Sequence, residues 1–146
     1  MDLLKLQKTA KIAFASEFSF YLKAHNFHWN VEGPDFLQYH DLFGKIYEEV
    51  FDSIDPFAEQ IRALDAYVPG SFSKFSMLTQ LDDENNVLNK TDMVDALLTD
   101  NTKILKILKL LFDLSEAEGT NGFSDFVASR MDAHSKHGWM LRASLK

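Results

Sequence analysis

The chain has 146 residues, 46% of them hydrophobic and 25% charged, with no cysteine and a formal net charge of −7. That length suits one domain with enough chain to bury a core unaided. The missing cysteine excludes disulfides, zinc–thiolate sites and iron–sulfur clusters, and the acidic balance argues against a broad surface for nucleic-acid phosphates.

The first segment, Met1-Asp2-Leu3-Leu4-Lys5-Leu6-Gln7-Lys8, carries no long apolar region, and no stretch of about 18 uninterrupted apolar residues follows. A soluble, cytoplasmic protein without a signal peptide or membrane span is expected. Leu3, Leu6, Ala10, Ala13, Phe14, Phe18, Tyr21 and Leu22 recur at helical spacing and predict a first helix over Leu3–Asn30. Glu32-Gly33-Pro34-Asp35 ends it, with Asp35 placed to cap the next. The second helix is predicted over Phe36–Leu64, with Phe43, Ile46, Tyr47, Val50, Ile54, Phe57, Ile61 and Leu64 on one face. Residues 65–89 read as a long connection carrying a short helix near Phe72–Met77. A third long helix follows over Thr91–Glu118, and a fourth over Phe123–Ser144. The fold class is therefore all-α: a four-helix bundle whose two helix pairs are joined by a long crossover, the ferritin-like pattern.

The chemistry concentrates on the second helix. Asp41, Glu48, Asp52, Asp55 and Glu59 share the face opposite its apolar stripe. A solvated face is the ordinary reading of such a run. Like charges at i,i+4, as in Glu48 with Asp52 and Asp55 with Glu59, repel by a few tenths of a kcal/mol per pair, however, and bound cations relieve that repulsion. Together with His28 and His40, Asp55 and Glu59 supply the nitrogen and oxygen ligands that hold a divalent first-row metal while leaving positions open for an oxidant. His40 lies fifteen residues before Asp55 on the same predicted helix, about 22 Å away at 1.5 Å per residue. One copy cannot close a site from all four, whereas two antiparallel copies about a two-fold axis can. His25 with His28, and His134 with His137, form i,i+3 pairs, read chiefly as packing and hydrogen-bonding histidines. No Glu-x-x-His is present, so the intra-bundle di-iron site that depends on it cannot be assembled in its usual form.

The segments Phe27-His28-Trp29-Asn30-Val31-Glu32-Gly33-Pro34-Asp35-Phe36, Leu37-Gln38-Tyr39-His40, Tyr47-Glu48-Glu49-Val50, Asp55-Pro56-Phe57-Ala58-Glu59 and Lys136-His137-Gly138-Trp139-Met140-Leu141-Arg142 together resemble the signature of the Dps mini-ferritins. The resemblance implies that His28 and His40 of one subunit, with Asp55 and Glu59 of its two-fold partner, bind iron and oxidise Fe(II) with hydrogen peroxide or dioxygen. It further implies a hollow dodecamer that stores ferric mineral and protects against oxidative damage. Trp29 would stand beside the metal as an oxidisable indole, a role compatible with its ordinary one as a buried anchor of the turn, while Glu48 and Asp52 would seed mineral.

Two departures stand out. Position 44, often acidic in that family, is Gly44, which leaves a second iron unsupported. Pro56 lies between the two proposed carboxylate ligands, where a bend is expected. A Dps-like structural protein with impaired oxidation is the alternative these departures raise. A DNA-condensing role is the other alternative, disfavoured because Lys5, Lys8 and Lys11 fall within a predicted helix rather than a lysine-rich tail. DNA binding is expected to be weak or absent.

Overall fold

The computed structural model describes residues 2–146. Among them are five helices and no strand: α1 (Leu3–Asn30), α2 (Phe36–Ala63), α3 (Phe72–Leu78), α4 (Lys90–Glu118) and α5 (Asn121–Ser144). The four long helices form the bundle. α1 packs along α2 and α4 along α5, and the two pairs meet through α1 against α4 and α2 against α5. None of the helices is long and apolar enough to cross a membrane.

The helical stripes meet in an aromatic centre. Phe57 of α2 is fully buried, edge-on to Phe14 of α1 at 5.6 Å and to Phe126 of α5 at 5.3 Å. Around it close Leu6, Ile46, Ile61, Met93, Leu97 and Ile104. The predicted span of the first helix holds, but its buried stripe is narrower than predicted, because Leu3 and Leu22 are exposed. Leu22 lies beside a groove between α1 and the α3 region rather than in the core.

The crossover is pinned to α1. Phe75 of α3 stacks on Phe18 at 4.4 Å, and the Gln80 amide donates to Ser16 Oγ at 3.0 Å. Helix ends follow local chemistry. Asn89 Oδ1 accepts from the Asp92 amide at 2.8 Å and starts α4 one residue earlier than predicted. Gly119 closes α4 in the left-handed region (φ 73°), which glycine enters without a Cβ penalty. α5 starts two residues early as well, with the Ser124 amide bonded to the Thr120 carbonyl at 3.0 Å.

At the α1–α2 turn one expectation is corrected. Asp35 stands at the N-cap of α2, but its side chain makes no capping bond. Its backbone is left-handed (φ 65°), away from the extended conformation of a capping residue, and its carboxylate lies 3.5 Å from Lys90 Nζ. α2 continues as helix through Pro56 to Ala63.

Candidate metal centre

The short turn after Asn30 folds the first turn of α2 back onto the last turn of α1, which brings His28 and His40 face to face. Their rings stack 3.7 Å apart. His28 Nδ1 donates to the His40 carbonyl at 2.7 Å, and His40 Nδ1 donates to the His28 carbonyl at 2.7 Å. A carbonyl only accepts, so each Nδ1 carries a proton, and Nε2 is the ring atom left to bind a metal. The bond that fixes the tautomer also fixes the ring, which is how metal-ligating histidines are oriented by their surroundings. The reciprocal clasp therefore presents two aligned nitrogen donors.

Gly44 belongs to this arrangement. It is buried one turn after His40, and a Cβ there would lie 3.1 Å from His28 Nδ1 and 3.2 Å from His28 Cε1. The space that a side chain would take holds the His28 imidazole instead.

His25 does not join the pair as a ligand. Tyr21 Oη and His25 Nδ1 are hydrogen-bonded at 3.1 Å, and the His25 ring lies flat on Tyr47 at 3.8 Å. The Trp29 ring is 3.9 Å from His25, so an aromatic cluster connects the indole to the side of His28. Trp29 is 60% exposed, which corrects the expectation of a buried anchor within the chain.

The acidic stripe lies where the sequence puts it. Asp41, Glu48, Asp52, Asp55 and Glu59 are all exposed on one face of α2, with no basic partner within 4 Å among the described residues. The four principal candidates thus fall into two halves: the imidazole pair at the start of α2, and the Asp55–Glu59 pair about four turns further along. Among the described residues no cluster of three or more histidines and acids converges closely enough to hold a metal.

A second polar assembly was not anticipated. Glu49, next to the stripe but not on it, turns into the bundle. Arg130 of α5 donates through Nη1 to Glu49 Oε2 at 2.5 Å and through Nε to Glu17 Oε2 of α1 at 3.0 Å. His137 Nε2 donates to Glu49 Oε1 at 2.8 Å, and His134 Nε2 lies 2.5 Å from Glu17 Oε1. Burial pushes the Glu17 carboxyl up, but His134 and Arg130 outweigh it and hold it below its usual range. Burial likewise opposes ionisation of Glu49, yet bonds from His137 and Arg130 hold it down at about 2. Burial lowers the His137 pKa, against the bond to Glu49 that raises it. The sequence signal for this assembly is a lone Glu17 amid the apolar run of α1, together with Arg130 four residues before His134.

The ferritin-like domain family matches residues 11–146. The DNA protection during starvation protein of Helicobacter pylori is 32% identical over 126 residues, covering 86% of this chain and 88% of that protein. DNA protection during starvation protein 2 of Bacillus anthracis is 30% identical over 125 residues, covering 86% of each. The solved structure of the Dps protein of Vibrio cholerae superposes with a TM-score of 0.94 at 26% identity, over 99% of this chain and 91% of that one.

Proposed function

Because the chain belongs to the Dps family of ferritin-like proteins, we propose that it is an iron-storing mini-ferritin with ferroxidase activity, whose oxidation site is completed between two subunits. Fe(II) is the substrate. The His28 and His40 Nε2 atoms bind it from one chain, and Asp55 and Glu59 bind it from a two-fold-related copy. Coordination positions stay open for hydrogen peroxide or dioxygen. Two ferrous ions supply the two electrons that one peroxide accepts, so iron and peroxide are removed together.

The observation that carries this reading is the reciprocal clasp, which commits both Nδ1 atoms to backbone carbonyls and leaves the two Nε2 atoms as donors. The carboxylates add the anionic ligands that favour the ferric product, and the remaining acids of the stripe, Glu48 and Asp52 foremost, offer hard oxygen donors on which mineral collects. Trp29, exposed beside the His25–Tyr47 stack, stands ready to cover the site when a second copy docks and, where one Fe(II) is bound, to supply the second electron that peroxide accepts.

Anaerobic loading with Fe(II) followed by hydrogen peroxide tests the proposal. A fast rise in ferric absorbance is expected from the natural chain and its loss from Asp55→Ala/Glu59→Ala. Equal rates for the two proteins would sink the assignment.

A further inference from the structure

The turn that seats His40 over His28 is weakly held by its own atoms. Gly33 (φ 99°) and Asp35 (φ 65°) are both left-handed, a conformation that glycine adopts freely and that a residue with a Cβ disfavours. Asp35 is not stabilised there by its side chain, which makes no capping bond. The Phe36 amide donates to the Gly33 carbonyl at 3.1 Å, and the Tyr39 amide to the Asp35 carbonyl at 3.2 Å. Between them the Pro34 carbonyl accepts from no backbone amide among the described residues.

A side chain from another helix supplies what is missing. Lys90, the first residue of α4 and 56 positions away in sequence, donates through Nζ to the Pro34 carbonyl at 2.6 Å. The same ammonium stands 3.5 Å from Asp35 Oδ2 and 5.3 Å from the centre of the Tyr39 ring. A charged donor makes a stronger bond to a carbonyl than a neutral one, and a cation over a tyrosine face adds to it. The Asp35 pair is the least of the three, because that carboxylate is largely in water. Tyr39 is the chain neighbour of His40, and the Phe36 ring stacks on His40 at 5.0 Å. What fastens residues 34–39 therefore also fixes where the His40 ring lies and whether its Nδ1 meets the His28 carbonyl.

We propose that Lys90 is a positioning residue for the metal centre, a role that rests on reading His28 and His40 as iron ligands: from the start of α4 its ammonium fastens the α1–α2 turn and the first turn of α2, and thereby holds His40 over His28. Lys90 binds no iron itself. It acts through Pro34, Asp35 and Tyr39, so its loss loosens the ligand pair and removes neither ligand.

Co(II), whose visible absorption reports its ligands, is titrated into the full chain freed of other metal. Lys90→Met keeps the stem and removes the charge and its donors, whereas Lys90→Arg keeps charge and reach. Co(II) affinity should fall about ten-fold in Lys90→Met, the loss typical of an orienting contact, with the visible band altered, and Lys90→Arg should recover both. Gly119→Ala is the control for stability alone. It strains the far end of α4 (φ 73°), away from the turn, and should lower the thermal midpoint while Co(II) affinity stays at the natural value. His28→Ala marks the site and should abolish the band. The role of Lys90 is overturned if Lys90→Met binds Co(II) as the natural protein does, or if Gly119→Ala weakens Co(II) binding as much. Either result leaves the iron ligands standing where His28→Ala abolishes the band. A band indifferent to His28→Ala removes the ligand assignment itself, and the role of Lys90 with it.

Discussion

His28 and His40 orient one another, so replacing either one removes a nitrogen donor and also unfastens the ring that stays. His28→Ala or His40→Ala is therefore expected to weaken Fe(II) binding by more than the loss of one ligand, whereas losing an orienting contact alone costs about ten- to a hundred-fold. Isothermal titration under anaerobic conditions measures it. Gly44→Ala separates the two contributions. The new methyl pushes on the His28 ring at 3.1–3.2 Å, while alanine improves helix propensity by up to about 1 kcal/mol. We expect Fe(II) affinity to fall about ten-fold with the thermal midpoint nearly unchanged, and unchanged affinity would show that the ring does not depend on this gap. The identities of these residues were legible in the sequence because histidine and carboxylate are rare enough in helical stripes to stand out. The role of Gly44 was not, because a missing side chain signals nothing until the ring that fills its space is seen. The sequence-based reading treated Gly44 as a lost ligand, and the structure adds that it makes room for a ligand that is kept.

At the scale of helices, Phe57 ties three of the four long elements together. Phe57→Ala leaves a cavity between α1, α2 and α5 and is expected to cost about 3–5 kcal/mol, read from chemical denaturation at fixed protein concentration. The buried network adds a pH dependence whose direction is set by its shifted groups. Glu49, held at about 2, contributes stability present above its usual 4.5 and lost as pH falls toward 2. The pKa of His137 is lowered from 6.5, so the unfolded chain takes up a proton before the folded one does, and stability erodes as pH falls below that value. Both slopes run the same way. The thermal midpoint should drop steadily from pH 7 to pH 4, and His137→Gln should flatten the upper part of that slope. A midpoint flat across this range would contradict the assigned charges. Helix existence and extent were legible from the 3.6-residue period, since each stripe has a face to bury. The network was not, because Glu17, Glu49 and Arg130 are 113 and 81 residues apart in sequence and meet only through the packing of three helices. The same limit explains Trp29: an aromatic beside a turn reads as an anchor, and only the fold shows that the turn leaves it outside.

For the whole molecule, the single chain leaves Trp29, Phe51, Phe72 and Met77 exposed, side chains large enough to favour burial against another surface. Light scattering is expected to give a mass near twelve chains, and a monomer or plain dimer would remove the storage cavity. With a net charge of −7 and Lys5, Lys8 and Lys11 on α1, duplex DNA should not be retarded in a gel at physiological salt. The distance from His40 to Asp55 made an intersubunit site an inference from helix geometry alone, and the structure keeps the two halves apart within the chain. Complementation tests that claim most directly. His28→Ala/His40→Ala and Asp55→Ala/Glu59→Ala are each prepared alone, then co-assembled in equal amounts and given Fe(II) and hydrogen peroxide. Each alone should be inactive. Random pairing about a two-fold axis rebuilds one intact site in each mixed pair, so about a quarter of the natural activity should return. Verified mixed assemblies that recover none, or a single variant that stays active, would contradict a site shared between subunits.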